Sequence, residues 1–221
     1  MNPDQWTTID NYLNSLFEPP DPALDAALQS SAEANLPAIQ VTPNLGKFLH
    51  ILAQSIRARA ILEIGTLGGY STIWLARALP PDGTLITLEA EPKHAEIARA
   101  NIARAGLDHI VQIRLGRALD ALPQLTAEQR APFDFVFIDA DKQNNAAYFQ
   151  WALQLTHPGS LIIVDNVVRQ GAIVNADSDD PAVQGTRRFL QVLAAEPRVT
   201  ATTLQTVGSK GYDGFSIALV K

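Results

Sequence analysis

From Ala60 onward the chain alternates short apolar runs with amphipathic segments of helical length, and this rhythm limits the possible folds more than any other feature. The runs Ala60–Ile64, Thr84–Leu88, Val111–Leu115, Phe133–Ile138 and Ser160–Val164 are of strand length. Helical periodicity near 70–79, 92–105, 117–122, 144–155 and 181–195 fills the intervals and follows the last of them. Strands alternating with helices build βαβ units, whose crossovers make neighbouring strands parallel. Two more runs, Val199–Gln205 and Gly214–Val220, follow with no helix between them. Their connection is too short for a parallel crossover, so the last strand is expected to be antiparallel. Upstream, Pro19, Pro20, Pro22 and Pro37 punctuate helix-like stretches at 4–16 and 22–34, ahead of a longer one at 43–57. Residues 1–40 therefore read as an N-terminal helical cap on an α/β, Rossmann-like, seven-stranded and mostly parallel sheet.

Composition narrows the chemistry. No shift in composition divides the 221 residues, so 1–221 reads as one domain. A net charge of -6 argues against a general nucleic-acid or anionic-membrane binder, either of which needs a basic surface. The chain has no cysteine, which removes disulfides, thiolate metal sites and thiol nucleophiles. The first residues lack the basic start and apolar core of a signal peptide, and no apolar run reaches the ~18 residues of a membrane span. A cytoplasmic location is the expectation.

In an open parallel sheet the ligand crevice lies beyond the carboxyl ends of the strands, so the residues after each run carry the most information. The first run leads into Glu63-Ile64-Gly65-Thr66-Leu67-Gly68-Gly69-Tyr70-Ser71, a glycine-rich turn that lets a ligand approach the backbone. The turn matches neither G-x-G-x-x-G nor the Gly-Lys-Ser/Thr phosphate loop, and no basic residue stands in it. A ligand without phosphates fits it better. Glu89 follows the second run, where an acid accepts hydrogen bonds from ribose hydroxyls, although this pairing recurs across many Rossmann-type proteins.

The fourth run ends Ile138-Asp139-Ala140-Asp141-Lys142 and the fifth ends Val164-Asp165-Asn166. If these strands are neighbours, Asp139, Asp165 and Asn166 converge as two carboxylates and an amide oxygen, a hard and open set suited to Mg²⁺ or Ca²⁺. A lone strand-end Asp more often caps a helix or turn; two apposed ends shift the balance towards ligands. Lys142 opens a predicted helix, where its charge opposes the helix dipole, which hints at a purpose beyond solvation.

Read together, EIGTLGGYS, LEAEP, FIDADK and IIVDN resemble the cation-dependent O-methyltransferases, the group of the caffeoyl-CoA and catechol enzymes, over about residues 36 to 221. The stretch RQGAIVNADSDD resembles the bacterial members, since the plant enzymes usually have tryptophan where Arg169 stands. The resemblance implies a class I methyltransferase fold and S-adenosylmethionine as cofactor. It places Val41, Glu63, Gly65, Tyr70, Ser71 and Asp139 in the cofactor site, Glu89 on the ribose, Ala118 on the adenine, and Asp141 towards the methionine end. Asp139, Asp165 and Asn166 match the metal ligands, with Mg²⁺ expected first and Ca²⁺ or Mn²⁺ as alternatives. Lys142 matches the lysine taken as general base. One departure is the segment QVTPNLGKFL, with Val41 and Leu45 where plant relatives carry polar residues.

The activity implied is methyl transfer to a hydroxyl of a catechol-like or other vicinal-diol small molecule. Two other classes compete with it: a non-catalytic S-adenosylmethionine-binding protein, and a nicotinamide-dependent oxidoreductase, against which the glycine turn counts. Ser71 stands in no G-x-S-x-G elbow, which argues against a hydrolase. Tyr70 and Trp74, four apart on one predicted helix, fit core packing as well as a site, with Tyr70 evenly balanced. His50, His94, His109 and His157 have no metal-ligand spacing and read as surface or structural residues. The resemblance also implies a homodimer, to which Trp6, Tyr12, Leu13, Leu16 and Phe17 could contribute contacts.

Overall fold

The computed structural model describes residues 2–221. Three N-terminal helices, α1 (Pro3–Phe17), α2 (Pro22–Glu33) and α3 (Pro43–Ser55), precede the sheet. Each opens on a proline, whose missing N–H costs nothing in a first turn, and each has a side-chain cap: Asn2, Asp21 and Thr42. The prolines that break the sequence pattern are thus helix starts.

The α/β part runs β1 (Ala60–Ile64), α4 (Tyr70–Ala76), β2 (Thr84–Glu89), α5 (Pro92–Arg104), β3 (Val111–Leu115), α6 (Ala118–Ala127), β4 (Phe133–Ile138), α7 (Asn145–Gln154), β5 (Thr156–Asp165), α8 (Pro181–Ala195), β6 (Val199–Gly208) and β7 (Gly211–Val220). The seven strands lie in the order β3-β2-β1-β4-β5-β7-β6. The pairs from β3 to β5 are parallel, while β7 is antiparallel to both β5 and β6, as expected of the last strand.

Strand side chains alternate between two faces, and both are covered. Leu62, Ile64, Val136, Ile138, Ile162 and Val164 face α6, α7 and α8, packing with Leu122, Phe149 and Phe189. Ile61, Phe135, Phe137 and Ile163 face the other way, against Leu49, Ile73 and Ile102 of α3, α4 and α5. On that second face Glu63 takes the place of an apolar residue and is wholly buried.

Several boundaries differ from the sequence reading: α4 ends at Ala76 rather than 79, and β6 and β7 each run three residues further towards their shared turn. Helix α6 continues through Pro123 to Ala127, because Leu122 and Leu125 on either side of the proline are both buried. Strand β5 starts four residues early, at Thr156, beside Phe133 of β4. Helix α7 is preceded by a 3-10 turn at Lys142–Asn144. Among the described residues no helix is long and apolar enough to cross a membrane.

Candidate functional site

The sheet order reverses direction between β1 and β4, and the two connections leaving that point part to opposite faces, opening a crevice beyond the strand ends. A cavity of about 770 Å³ occupies it. One wall is the glycine turn after β1 with Glu89 and Ala118, the other is Asp139–Asn144 with Asn166 and Arg169. Leu28, Ser31, Ile39, Gln40 and Val41 of the N-terminal part close the opening.

Glycine in the first wall answers a packing constraint. Gly65 has φ +102°, and a Cβ there would stand 2.1 Å from the Asp139 carbonyl oxygen, so the two walls meet backbone to backbone. The Gly68 carbonyl accepts a 2.9 Å hydrogen bond from the buried Asn101 amide of α5. Glu89 accepts from the backbone N–H of Thr66 (3.2 Å), Leu67 (2.7 Å) and Glu91 (2.9 Å), so it holds the turn in shape while facing the cavity. A carboxylate has about four lone-pair sites, which leaves this one little capacity beyond a single further donor.

Under this wall the buried Glu63 carboxylate accepts hydrogen bonds from the hydroxyls of Ser71 (2.6 Å), Thr87 (2.7 Å) and Thr72. Burial pushes its pKa up to about 7 against the pull of those donors. The carboxyl thereby orients Ser71, whose residue forms part of the cavity wall.

The second wall is made of oxygen atoms and one amine. Lys142 Nζ lies 2.6 Å from Asp139 Oδ1, and its side chain is 9 % exposed. Asp141 accepts from Tyr148 Oη and from the Asn144 amide. Burial, reinforced by the neighbouring Asp139 charge and only partly offset by Lys142, raises the pKa of the Asp165 carboxyl. Asn166 follows at φ +54°, a left-handed conformation that asparagine tolerates, and its N–H donates to Asp165 Oδ1 at 2.8 Å. The charges of Asp139 and Lys142 thus both reach the Asp165 carboxyl, acting in opposite directions. Among the described residues no group of three or more acidic, histidine or cysteine side chains is placed to hold a metal ion.

The cavity wall gathers Val41, Gly65, Tyr70, Ser71, Glu89, Ala118, Asp139, Asp141, Lys142 and Asn166, all singled out in the sequence. Glu63 does not reach the wall: strand alternation turns it onto the α4 face, and it acts on the cavity only through Ser71. Asp165 also stays off the wall, buried at the end of β5 behind Asn166. Tyr70 is both core and wall, since it is 5 % exposed and packs with the α3–α5 face.

Sequence reasoning missed His94, Ser31, Gln40 and Arg169. His94 lines the cavity with Nδ1 3.5 Å from Glu89 Oε1. Its place in the first turn after β2 was a usable signal, because that is where crevice residues occur. Ser31 gave no local signal, since only the packing of α2 over the glycine turn brings it in, whereas Gln40 opens the QVTPNLGKFL segment already noted.

Comparison with known proteins places the chain in a family. The family description O-methyltransferase matches residues 19–218. A catechol O-methyltransferase of Niastella koreensis is 56 % identical over 221 residues, covering 100 % of both chains. A catechol O-methyltransferase of Mycobacterium tuberculosis is 54 % identical over 213 residues, 96 % of this chain and 95 % of that one. The solved structure of an O-methyltransferase from Bacillus cereus in complex with SAH is 59 % identical, with a TM-score of 0.98 over 100 % of both chains. With the family description matching residues 19–218 and relatives of 54–59 % identity aligned over nearly all of the chain, the chain belongs to the O-methyltransferase family.

Proposed function

We propose that this protein transfers the methyl group of S-adenosylmethionine to one hydroxyl of a small vicinal diol, with Asp139, Asp165 and Asn166 holding a divalent cation. The observation that carries the reading is the single cavity wall on which Lys142, Asp139 and Asn166 stand opposite the glycine turn and Glu89. The relatives' names support the catechol class, and the SAH complex of the Bacillus cereus protein supports the cofactor. Lys142, intact beside Asp139, favours catalysis over binding alone.

S-adenosylmethionine supplies a sulfonium methyl group for direct displacement, and a divalent cation, Mg²⁺ by the hardness of the donors, supplies Lewis acidity to a chelating pair of hydroxyls. The remaining work belongs to side chains of this chain. Glu89 and the glycine turn hold the nucleoside end, and Ser71, fixed by Glu63, shapes the floor beside it. Lys142 Nζ takes the proton of the reacting hydroxyl or steadies the oxyanion it leaves. Positioning of the two reacting groups on facing walls removes several kcal/mol of barrier. We also read the protein as a homodimer, supported by the apolar side chains that α1 leaves exposed.

The test is turnover of catechol and of its monohydroxy analogue before and after a chelator, with Mg²⁺, Mn²⁺ and Ca²⁺ added back. A cation held by these protein oxygens would have positions left for both hydroxyls of a diol, so the diol should react much faster than its monohydroxy analogue. Undiminished rates in metal-free enzyme, or equal rates on the two substrates, would overturn the metal assignment.

A further inference from the structure

Four basic side chains belong to residues lining the cavity: His94, Arg117, Lys142 and Arg169. His94 pairs with Glu89 and Lys142 with Asp139, while Arg117 is exposed next to Ala118 at the far end. Arg169 differs from all three. It is half-buried, its Nε is shielded from solvent without a hydrogen-bond partner, and among the described residues it forms no ion pair.

The backbone around it is built with unusual care. Arg169 has φ +53°, in the left-handed region where glycine is the ordinary occupant, and Gln170 and Gly171 follow it there. Asp213, at the start of β7, fixes this turn by accepting 2.9 Å hydrogen bonds from the N–H groups of Val168, Arg169 and Gly214. A strained position that carries a long cation, held by a dedicated carboxylate, places that cation beside the oxygen wall.

We propose that Arg169 recognises a carboxylate on the acceptor, so that the preferred substrate is a small dihydroxy acid rather than a neutral diol. The inference rests on the methyl-transfer reading and specifies its substrate class. A planar guanidinium fork matches a carboxylate bidentately, and shielding from water strengthens the contact. Arg169 is three residues beyond Asn166, a span of at most about 10 Å of extended chain. One aromatic ring with a short acidic arm can therefore meet both groups. A polyphosphate tail fits less well: it calls for several free cations, and the cavity offers one that is both sheltered and unpaired.

Calorimetric titration of the SAH- and Mg²⁺-saturated protein with 3,4-dihydroxybenzoate and with its methyl ester tests this, in the wild type, R169M and R169K. The wild type should bind the acid about 10- to 100-fold more tightly than the ester, the range of a charge-assisted bond. R169M should bring the ratio near one, and R169K should keep part of it, since charge survives and the fork does not. Binding of the ester by R169M shows that the variant's site is folded. Equal wild-type affinity for acid and ester, or an undiminished preference in R169M, would overturn the role of Arg169 while diol methylation stands. Failure of the wild type to bind or methylate any diol would overturn the methyl-transfer reading, and this inference with it.

Discussion

At Glu63 burial and hydrogen bonding act in opposite directions on one carboxyl. Three hydroxyls favour the ionised form, yet removal from water wins and raises the pKa from 4.5 to about 7. A folded-state pKa above the unfolded one means that the native state binds the extra proton. The stabilisation is fully present below about pH 4.5 and is lost as pH rises through about 7. Glu63→Gln keeps the shape without the titration, so between pH 5 and pH 8 the wild type should lose ~1–3 kcal/mol that the variant does not. Denaturant unfolding of both proteins at the two pH values checks it, and parallel pH curves would refute it. This residue also shows where site reading from sequence stops. Asp139, Lys142 and Asn166 were legible because each follows a strand end on the crevice side. Glu63 stands one residue before the end of β1, and its facing depends on pleat register, which a glycine-rich motif does not reveal.

Packing between elements decides where Lys142 sits. Gly185 of α8 faces the Lys142–Asn144 turn so closely that a Cβ would lie 2.4 Å from Gln143 Cα and 2.5 Å from the Lys142 carbonyl oxygen. These are backbone atoms that cannot rotate aside, so Gly185→Ala must displace the turn or the helix. Overpacking of this kind costs ~1–3 kcal/mol. Because the displaced turn carries the amine, kcat should fall more than the affinity for S-adenosylmethionine, which rests on the β1 and β2 ends. Thermal unfolding and steady-state kinetics on the same preparation check this; a full kcat in a destabilised variant would uncouple helix from site. The elements themselves were largely legible, since βαβ periodicity is a local property and α8 was read at its observed bounds. The extension of α6 past Pro123 was not, because tertiary burial of Leu125 outweighs the local penalty of proline.

Over the whole molecule, exposed apolar side chains include Val174 after β5 and Leu115 on β3, but several gather on the N-terminal cap and the β6 edge of the sheet. Helix α1 contains no buried residue, and Ile9, Tyr12 and Leu16, spaced to form one stripe, are about half exposed or more, as is Phe17. Trp6 and Leu13 are half-buried, so part of the aromatic and aliphatic set picked out from the sequence already packs within its own chain. The helix is anchored to the β6–β7 turn by Asp10, which accepts from the Ser209 N–H at 2.7 Å. Strand β6 ends the sheet with Leu204 and Val207 exposed, and an unpaired, partly apolar edge of ten residues is a surface that proteins commonly cover. A stable interface needs about 800 Å² from each partner, more than the α1 stripe alone supplies, so α1 and the neighbouring edge should be buried together. The expected outcome is a dimer at micromolar concentration by light scattering. Tyr12→Asp combined with Leu16→Asp should shift it to monomer while SAH binding persists, because both side chains point away from the cavity wall and neither supports the core. A wild-type monomer at that concentration would remove the dimer and leave the methyl-transfer reading untouched.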